Sequence, residues 1–199
     1  MEIGILGTGR MARGLGAAWA GAGHAVMLGS RNPAGSPAGL RVGAVAEAAA
    51  ARDAVVLATP FAATAALVAA LGDVLGGKLI LDITNPFGAA PAGTAGIEVH
   101  RRALGRPARW AAAFKTNFAA TIAVPAEPRW QCLVAAESPE VFGAVAGLAR
   151  DVGYDPVDCG GLDAAATIDL MVPLMIDLDR RAGGARGLSA WRFVPGVPG

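Results

Sequence analysis

The residues Gly7-Thr8-Gly9-Arg10-Met11-Ala12 follow a short apolar run and precede a stretch with helical spacing. That is the G-x-G-x-x-A pattern of a strand–turn–helix that carries a dinucleotide pyrophosphate. The first glycine permits the tight turn. The second lets the backbone approach phosphate with no Cβ in the way, and the small Ala12 lets helix and strand pack closely. The helix start then offers free N–H groups and a positive dipole end to the anion. An ordinary strand–helix turn can carry such a string, but the correct flanks on both sides favour the phosphate site.

A second group sharpens the chemistry. Ser30-Arg31-Asn32 stands where a domain preferring NAD places Asp or Glu for the ribose 2′-OH, and no acid is present there. A guanidinium forks onto two phosphate oxygens and a hydroxyl donates a further bond, so the group suits a 2′-phosphate and predicts NADP(H). Thr8 and Arg10 are in reach of the phosphates, although Arg10 also reads as a surface residue. Thr59-Pro60-Phe61 is expected to wall the adenosine or nicotinamide side of the cleft. Thr84-Asn85-Pro86 is expected nearer the nicotinamide, with Asn85 orienting the carboxamide; both segments also read as plain turns. The expected cofactor-binding set is therefore Gly7, Thr8, Gly9, Arg10, Met11, Ser30, Arg31, Asn32, Thr59, Pro60, Phe61, Asn85 and Pro86.

Proton donors are scarce. The single tyrosine, Tyr154, has no Lys four residues on, so the short-chain dehydrogenase arrangement is absent. His24 reads as a structural cap of the first helix, and His100, among arginines, as exposed. Cys159 reads as a small buried residue. Lys115 follows a strand and falls at the expected ligand edge, which makes it the candidate catalytic residue, with a surface lysine as the competing reading. Hydride transfer between two bound carriers needs alignment and exclusion of water more than a protein acid. Reduction of a ketone normally needs a proton relay, which Lys115 or a bound water would have to supply.

The elements that must position these residues follow from periodicity. Strands are predicted over 2–6, 25–28, 40–43, 54–58, 79–83, 109–114, 130–135 and 154–157. Helices are predicted over 10–22, 45–51, 61–75, 97–104, 139–152 and 162–181, with Pro173 kinking or breaking the last. In the tail, Leu188, Trp191 and Phe193 are expected to pack. The alternation predicts an α/β fold, a Rossmann-type doubly wound, mostly parallel sheet with a small C-terminal helical extension. Right-handed crossovers would place every strand's C-terminal end, and the ligand, on one edge. The expected division is a cofactor-binding domain over 1–158 and a helical segment over 159–199.

Hydrophobic residues make up 54% of the chain and charged ones 17%, too apolar for a disordered chain. No run approaches the roughly 20 apolar residues of a membrane span, and the opening residues lack the basic stretch of a signal peptide. A net charge of +1 without a basic cluster excludes nucleic acid and anionic membranes as expected partners. Arg101, Arg102, Arg106 and Arg109 are the mild exception, read as a solvated surface or a phosphate contact. Cys132 and Cys159 form neither metal-ligand spacing nor a disulfide framework, so no metal site is expected and a reduced, cytoplasmic protein fits.

The run GILGTGRMARGLGAAWAGAGHAVMLGSRNP resembles the N-terminus of the F420-dependent NADP oxidoreductases, a domain shared by the cytoplasmic part of the STEAP metalloreductases. AVVLATPFAA, KLILDITNPFG, AAAFKTNFAA and GYDPVDCGGLDAAATIDLMVPLMIDL extend the resemblance over nearly the whole chain. It implies NADP(H) at Thr8, Arg10, Ser30 and Arg31. It further implies a deazaflavin lying over the nicotinamide, in a pocket near residues 114–118 and the C-terminal segment, and a homodimer that the C-terminal helical part helps to form. The second carrier is expected to be coenzyme F420 or a flavin. At the position after Ala-Phe, where the F420 enzymes resemble a His and other reductases commonly carry Asn, this chain has Lys115; the tail after Arg181 also departs. The β-hydroxyacid dehydrogenases and imine reductases open on a similar Gly motif but add a helical domain for which the stretch after the last strand is too short. The expected activity is NADP(H)-dependent hydride transfer to a second carrier. The alternatives are reduction of a small imine or carbonyl substrate and a non-catalytic NADPH sensor.

Overall fold

The computed structural model describes residues 1–33, 39–122, 124, 126, 129–183 and 190–194; Leu188 lies outside them. The strands are β1 (Glu2–Leu6), β2 (Ala25–Ser30), β3 (Arg41–Ala44), β4 (Ala54–Leu57), β5 (Leu79–Asp82), β6 (Arg109–Ala112), β7 (Gln131–Ala136) and β8 (Asp155–Asp158). The helices are α1 (Arg10–Gly21), α2 (Val45–Ala49), α3 (Phe61–Ala70), α4 (Gly72–Leu75), α5 (Gly96–Leu104), α6 (Pro139–Asp151) and α7 (Ala164–Arg181).

The strands form one sheet in the order β3-β2-β1-β4-β5-β6-β7-β8. The order reverses between β1 and β4, which opens a crevice there. β4 and β5 are buried at every position, as central strands covered on both faces must be. Their side chains alternate between two cores. Val56 and Leu81 meet Leu15 and Trp19 of α1 and Leu148 of α6. Val55, Leu57 and Ile80 meet Val68 of α3, Ile97 and Leu104 of α5, and Ile168 of α7. The Trp19 indole N–H donates to the Leu148 carbonyl at 2.9 Å, tying α1 to α6.

Backbone bonds from Gly23 to the Ala20 carbonyl and from His24 to the Trp19 carbonyl, each 3.0 Å, end α1 in a Schellman motif. The His24 ring does not cap that helix; its Nε2 lies 2.9 Å from Asp151 Oδ2 at the end of α6.

Three features depart from expectation. β6 and β7 pair antiparallel, so β7 and β8 run opposite to the other six strands, and not every C-terminal end shares the ligand edge. The β6–β7 connection has no crossover helix, only a 3-10 turn at Ala119–Thr121 among its described residues, and a parallel return needs such a crossover. The helix expected over 61–75 is two, because Leu71 takes φ −97° and ψ 8° before Gly72, a weak helix former. α7, by contrast, runs unbroken for 18 residues through Pro173. Ile168, Val172 and Met175 are buried on both sides of the proline, and this packing outweighs one missing hydrogen bond. In the tail, Gln131 Nε2 donates to the Phe193 carbonyl at 3.0 Å, while the Phe193 ring stays exposed rather than packed. No described helix is long and apolar enough to cross a membrane.

Candidate active site

A cleft of about 920 Å³ opens along the C-terminal ends of β2, β1, β4 and β5. Eleven of the thirteen expected cofactor residues line it: Gly7, Thr8, Gly9 and Met11 after β1, Ser30, Arg31 and Asn32 after β2, Thr59, Pro60 and Phe61 after β4, and Asn85 after β5. Arg10 and Pro86 are absent from this lining. Arg10 is exposed on α1 and Pro86 is buried beneath the turn it belongs to. Thr84 and Phe87 also line the cleft.

The turn after β1 has the geometry its glycines suggest. Gly7 takes φ +131°, and a Cβ there would lie 2.6 Å from the Ala58 carbonyl oxygen, so no other residue fits without shifting β4. A Cβ at Gly9 would meet nothing within 4 Å, which leaves room at the start of α1. Gly9 is the N-cap and no side chain caps the helix, so its first N–H groups remain for an anion. After β2, the Ser30 hydroxyl donates to the Asn32 carbonyl at 2.8 Å and accepts from the Asn32 N–H at 3.1 Å. This local turn sets the backbone of Arg31, whose exposed side chain has no ion-pair partner among the described residues.

On the other side, the Thr64 hydroxyl pins the Thr59-Pro60 turn, 2.8 Å from Thr59 Oγ1 and 3.0 Å from the Pro60 carbonyl. Asn85 Nδ2 donates to the Lys115 carbonyl at 3.1 Å, which fixes the amide plane and leaves Oδ1 buried without a partner among the described residues. Thr84 Oγ1 is likewise buried and unpartnered. Buried polar atoms are normally satisfied, so two orphans at one cleft wall are groups fit to bond a ligand's amide or hydroxyl.

Behind this wall lies an ionic cluster held by bonds between residues 18 to 73 apart in the chain, so that no local spacing signals it. Lys115 has its side chain fully buried. Its Nζ turns inward from the ligand edge, donating to the Thr84 carbonyl at 2.6 Å and to Asp169 Oδ1 of α7 at 2.7 Å, and it is not part of the cleft lining. The other oxygen of Asp169 accepts from the Gly96 N–H at 2.7 Å, at the start of α5. Asp82, at the end of β5, accepts from the Thr84 N–H at 2.8 Å and meets His100 Nδ1 at 2.8 Å. Burial acts to raise the Asp82 carboxyl, but the Lys115 charge, the His100 bond and the Thr84 N–H outweigh it and hold it below the usual range.

His100 was expected to be exposed and is fully buried, its ring 5.0 Å from that of Phe61. The signal was present in the spacing. Ile97, His100 and Leu104 fall on one face of α5, so the inward face claims the imidazole while Arg101 and Arg102 point out. Those two arginines pair with Glu98, and Arg106 pairs with Asp73, on the surface. Elsewhere, burial pushes the Tyr154 phenol and the Cys132 thiol each up to about 12, the reverse of what a working acid or nucleophile needs. Among the described residues no cluster of His, Cys, Asp and Glu could hold a metal ion.

Residues 2–86 match the family described as NADP oxidoreductase, coenzyme F420-dependent. The F420-dependent NADP reductase of Methanothermobacter thermautotrophicus is 31% identical, with 91% of this chain aligned to 90% of that protein. Rat metalloreductase STEAP3 is 30% identical over 88% of this chain but only 37% of its own length. A crystal structure from Arthrobacter sp. FB24, assigned as an F420-dependent NADP-reductase, superposes with a TM-score of 0.81 at 28% identity, covering 93% of this chain and 96% of that one. With this cleft on a Rossmann sheet and an F420-dependent NADP reductase 31% identical over 91% of the chain, the chain is an NADP-dependent oxidoreductase belonging to the F420-dependent NADP oxidoreductase family.

Proposed function

We propose that the chain moves hydride between NADP(H) and a second, planar carrier, coenzyme F420 or a flavin. The observation that carries the cofactor half is Ser30-Arg31. A hydroxyl turn presents a guanidinium without an ion-pair partner among the described residues, in the same cleft as the uncapped start of α1. In this reading the α1 amides and Thr8 hold the pyrophosphate. Arg31 takes the 2′-phosphate, and Ser30 adds a bond to it once its O–H leaves the Asn32 carbonyl. The orphaned Oδ1 of Asn85 accepts from the carboxamide, and Thr59, Pro60 and Phe61 close the opposite wall. The nicotinamide supplies the hydride; the protein holds it in line and keeps water out.

Lys115 enters as a positioning residue, since both polar contacts of its Nζ are to protein and one of them fixes Thr84 beside the ligand. The division into a cofactor-binding part over 1–158 and a C-terminal part over 159–199 belongs to the same reading, as does a homodimer. Leu170, Leu174 and Leu178 recur every fourth residue on α7 and are 76%, 51% and 47% exposed, a stripe suited to a second copy.

The test follows NADPH oxidation by the purified protein with F420, FMN, FAD and a panel of small imines and carbonyls. Turnover with a fused-ring carrier is expected. Turnover with the small substrates alone sinks the carrier half. NADPH binding without any turnover leaves a sensor and sinks the hydride transfer.

A further inference from the structure

Two residues other than glycine hold left-handed backbone among the described residues, and each is close in sequence to a residue of the buried cluster or its wall. Phe114, at φ +57°, lies directly before Lys115. Phe87, at φ +47°, lies two residues after Asn85. An aromatic side chain is strained in this region, because its Cβ crowds the neighbouring carbonyl. For Phe114 the compensation is visible. Its ring is buried in the core, 5.9 Å from Trp19 and 6.1 Å from Tyr154. Phe87 has no such compensation, for it is 62% exposed, a large apolar ring left on the surface.

The turn that holds Phe87 is well defined. The Ala89 N–H donates to the Pro86 carbonyl at 2.9 Å, and Phe87 and Gly88 are its two central residues, Gly88 at φ +85°. Both central residues are left-handed, as in a type I′ turn, a place that Gly, Asn and Asp dominate. Its base is anchored. Pro86 is buried, and a Cβ at Gly96 would lie 3.4 Å from Pro86 Cδ, while Lys115 clamps the carbonyl of Thr84. The anchored turn therefore sets the direction of the Phe87 Cα–Cβ bond, and Phe87 lines the cleft beside Thr84 and Asn85. Exposed strain at a ligand cleft, kept by an anchored turn, marks a site where the side chain serves a ligand.

We infer that Phe87 is the platform on which the flat ring of the hydride acceptor stacks, and so a residue that selects fused-ring carriers over small substrates. The inference rests on the proposed hydride transfer to a carrier. In the proposed binding mode the turns after β1 and β2 hold the phosphates and the ribose, whereas Phe87 follows β5, which the sheet order sets across β4 from β1 and β2, and lines the same cleft. Stacking strengthens with the π surface overlapped, so a fused tricyclic ring gains from this phenyl and a small imine or carbonyl gains little.

The test uses Phe87→Ala, Phe87→Gly and Phe87→Tyr in the full chain, with NADPH affinity, acceptor kinetics and Tm measured for each. With F420 or FMN as acceptor, KM is expected to rise about 3- to 10-fold in the Ala and Gly variants, the range of an aromatic stacking pair, and to stay near wild type in Phe87→Tyr. NADPH affinity should stay within about twofold of wild type. The Gly variant, relieved of the left-handed strain, should melt no lower than wild type. Unchanged acceptor KM with carriers that the wild type does reduce overturns this inference alone and leaves the proposed function standing. A parallel loss of NADPH affinity assigns the ring to the nucleotide, and a lower Tm with unchanged KM assigns it to the fold; each overturns it. Wild-type turnover of small substrates only, or of nothing, removes the carrier reading and this inference with it.

Discussion

Lys115→Met removes one positive charge from the cluster behind the cleft while keeping the length of the side chain. Asp169 is then left with its side chain 7% exposed and no cation, and Asp82, fully buried, loses the nearby charge that helps hold it ionised. Breaking a buried pair by removing one partner costs about 3–5 kcal/mol, because the remaining charge stays desolvated. For a domain of this size each kcal/mol moves Tm by about 2–4 °C, so Tm should fall by roughly 6–20 °C. Thermal unfolding followed by circular dichroism reads this directly. Adding Asp169→Asn removes the stranded charge and keeps an acceptor for the Gly96 N–H, so the double variant should recover part of the loss. A fall below about 2 °C, with kcat lost and NADPH affinity intact, would contradict the positioning role and return Lys115 to the proton-donor reading.

Two further outcomes follow from the packing. The Tyr154 phenol, pushed up to about 12 by burial and bonded to Thr121 at 2.8 Å, favours the neutral form. Its contribution to stability is fully present below the ordinary value of 10.0 and lost as pH rises through about 12. Because it is the single tyrosine, an ultraviolet titration of the folded chain should show no tyrosinate near pH 10; titration there with the fold intact refutes the burial account. On α7, Leu174→Arg should shift the protein towards monomer in light scattering, since Leu174 is 51% exposed on the stripe proposed to meet a second copy; an unchanged mass rules out this face as the dimer contact.

Much of the fold was legible because central parallel strands and amphipathic helices write their burial into local spacing. AVVL at β4 and LILD at β5 are near-continuous apolar runs, and the Gly7 turn could be read from its flanks. What was not legible depended on contacts far apart in the chain. The reversal of β7 goes with a connection that has no crossover helix among its described residues, which no residue in the strand itself signals. The pairing of Lys115 with Asp169 spans 54 residues, so a lysine at the edge in sequence turns inward in space. His100 was misplaced for a different reason: its arginine neighbours suggested solvent, while the 97-100-104 spacing carried the correct answer. The strain at Phe87 has no sequence signature beyond the Gly that follows it.

The cofactor site itself is tested most directly at Arg31. Dissociation constants for NADPH and NADH should be measured by titration on wild type and Arg31→Ala. The exposed guanidinium just after β2 predicts that the variant weakens NADPH by about 1–3 kcal/mol, the worth of a charge-assisted hydrogen bond, and leaves NADH nearly unchanged. Equal losses for both nucleotides, or none for either, would contradict the assignment of Ser30-Arg31 to the 2′-phosphate.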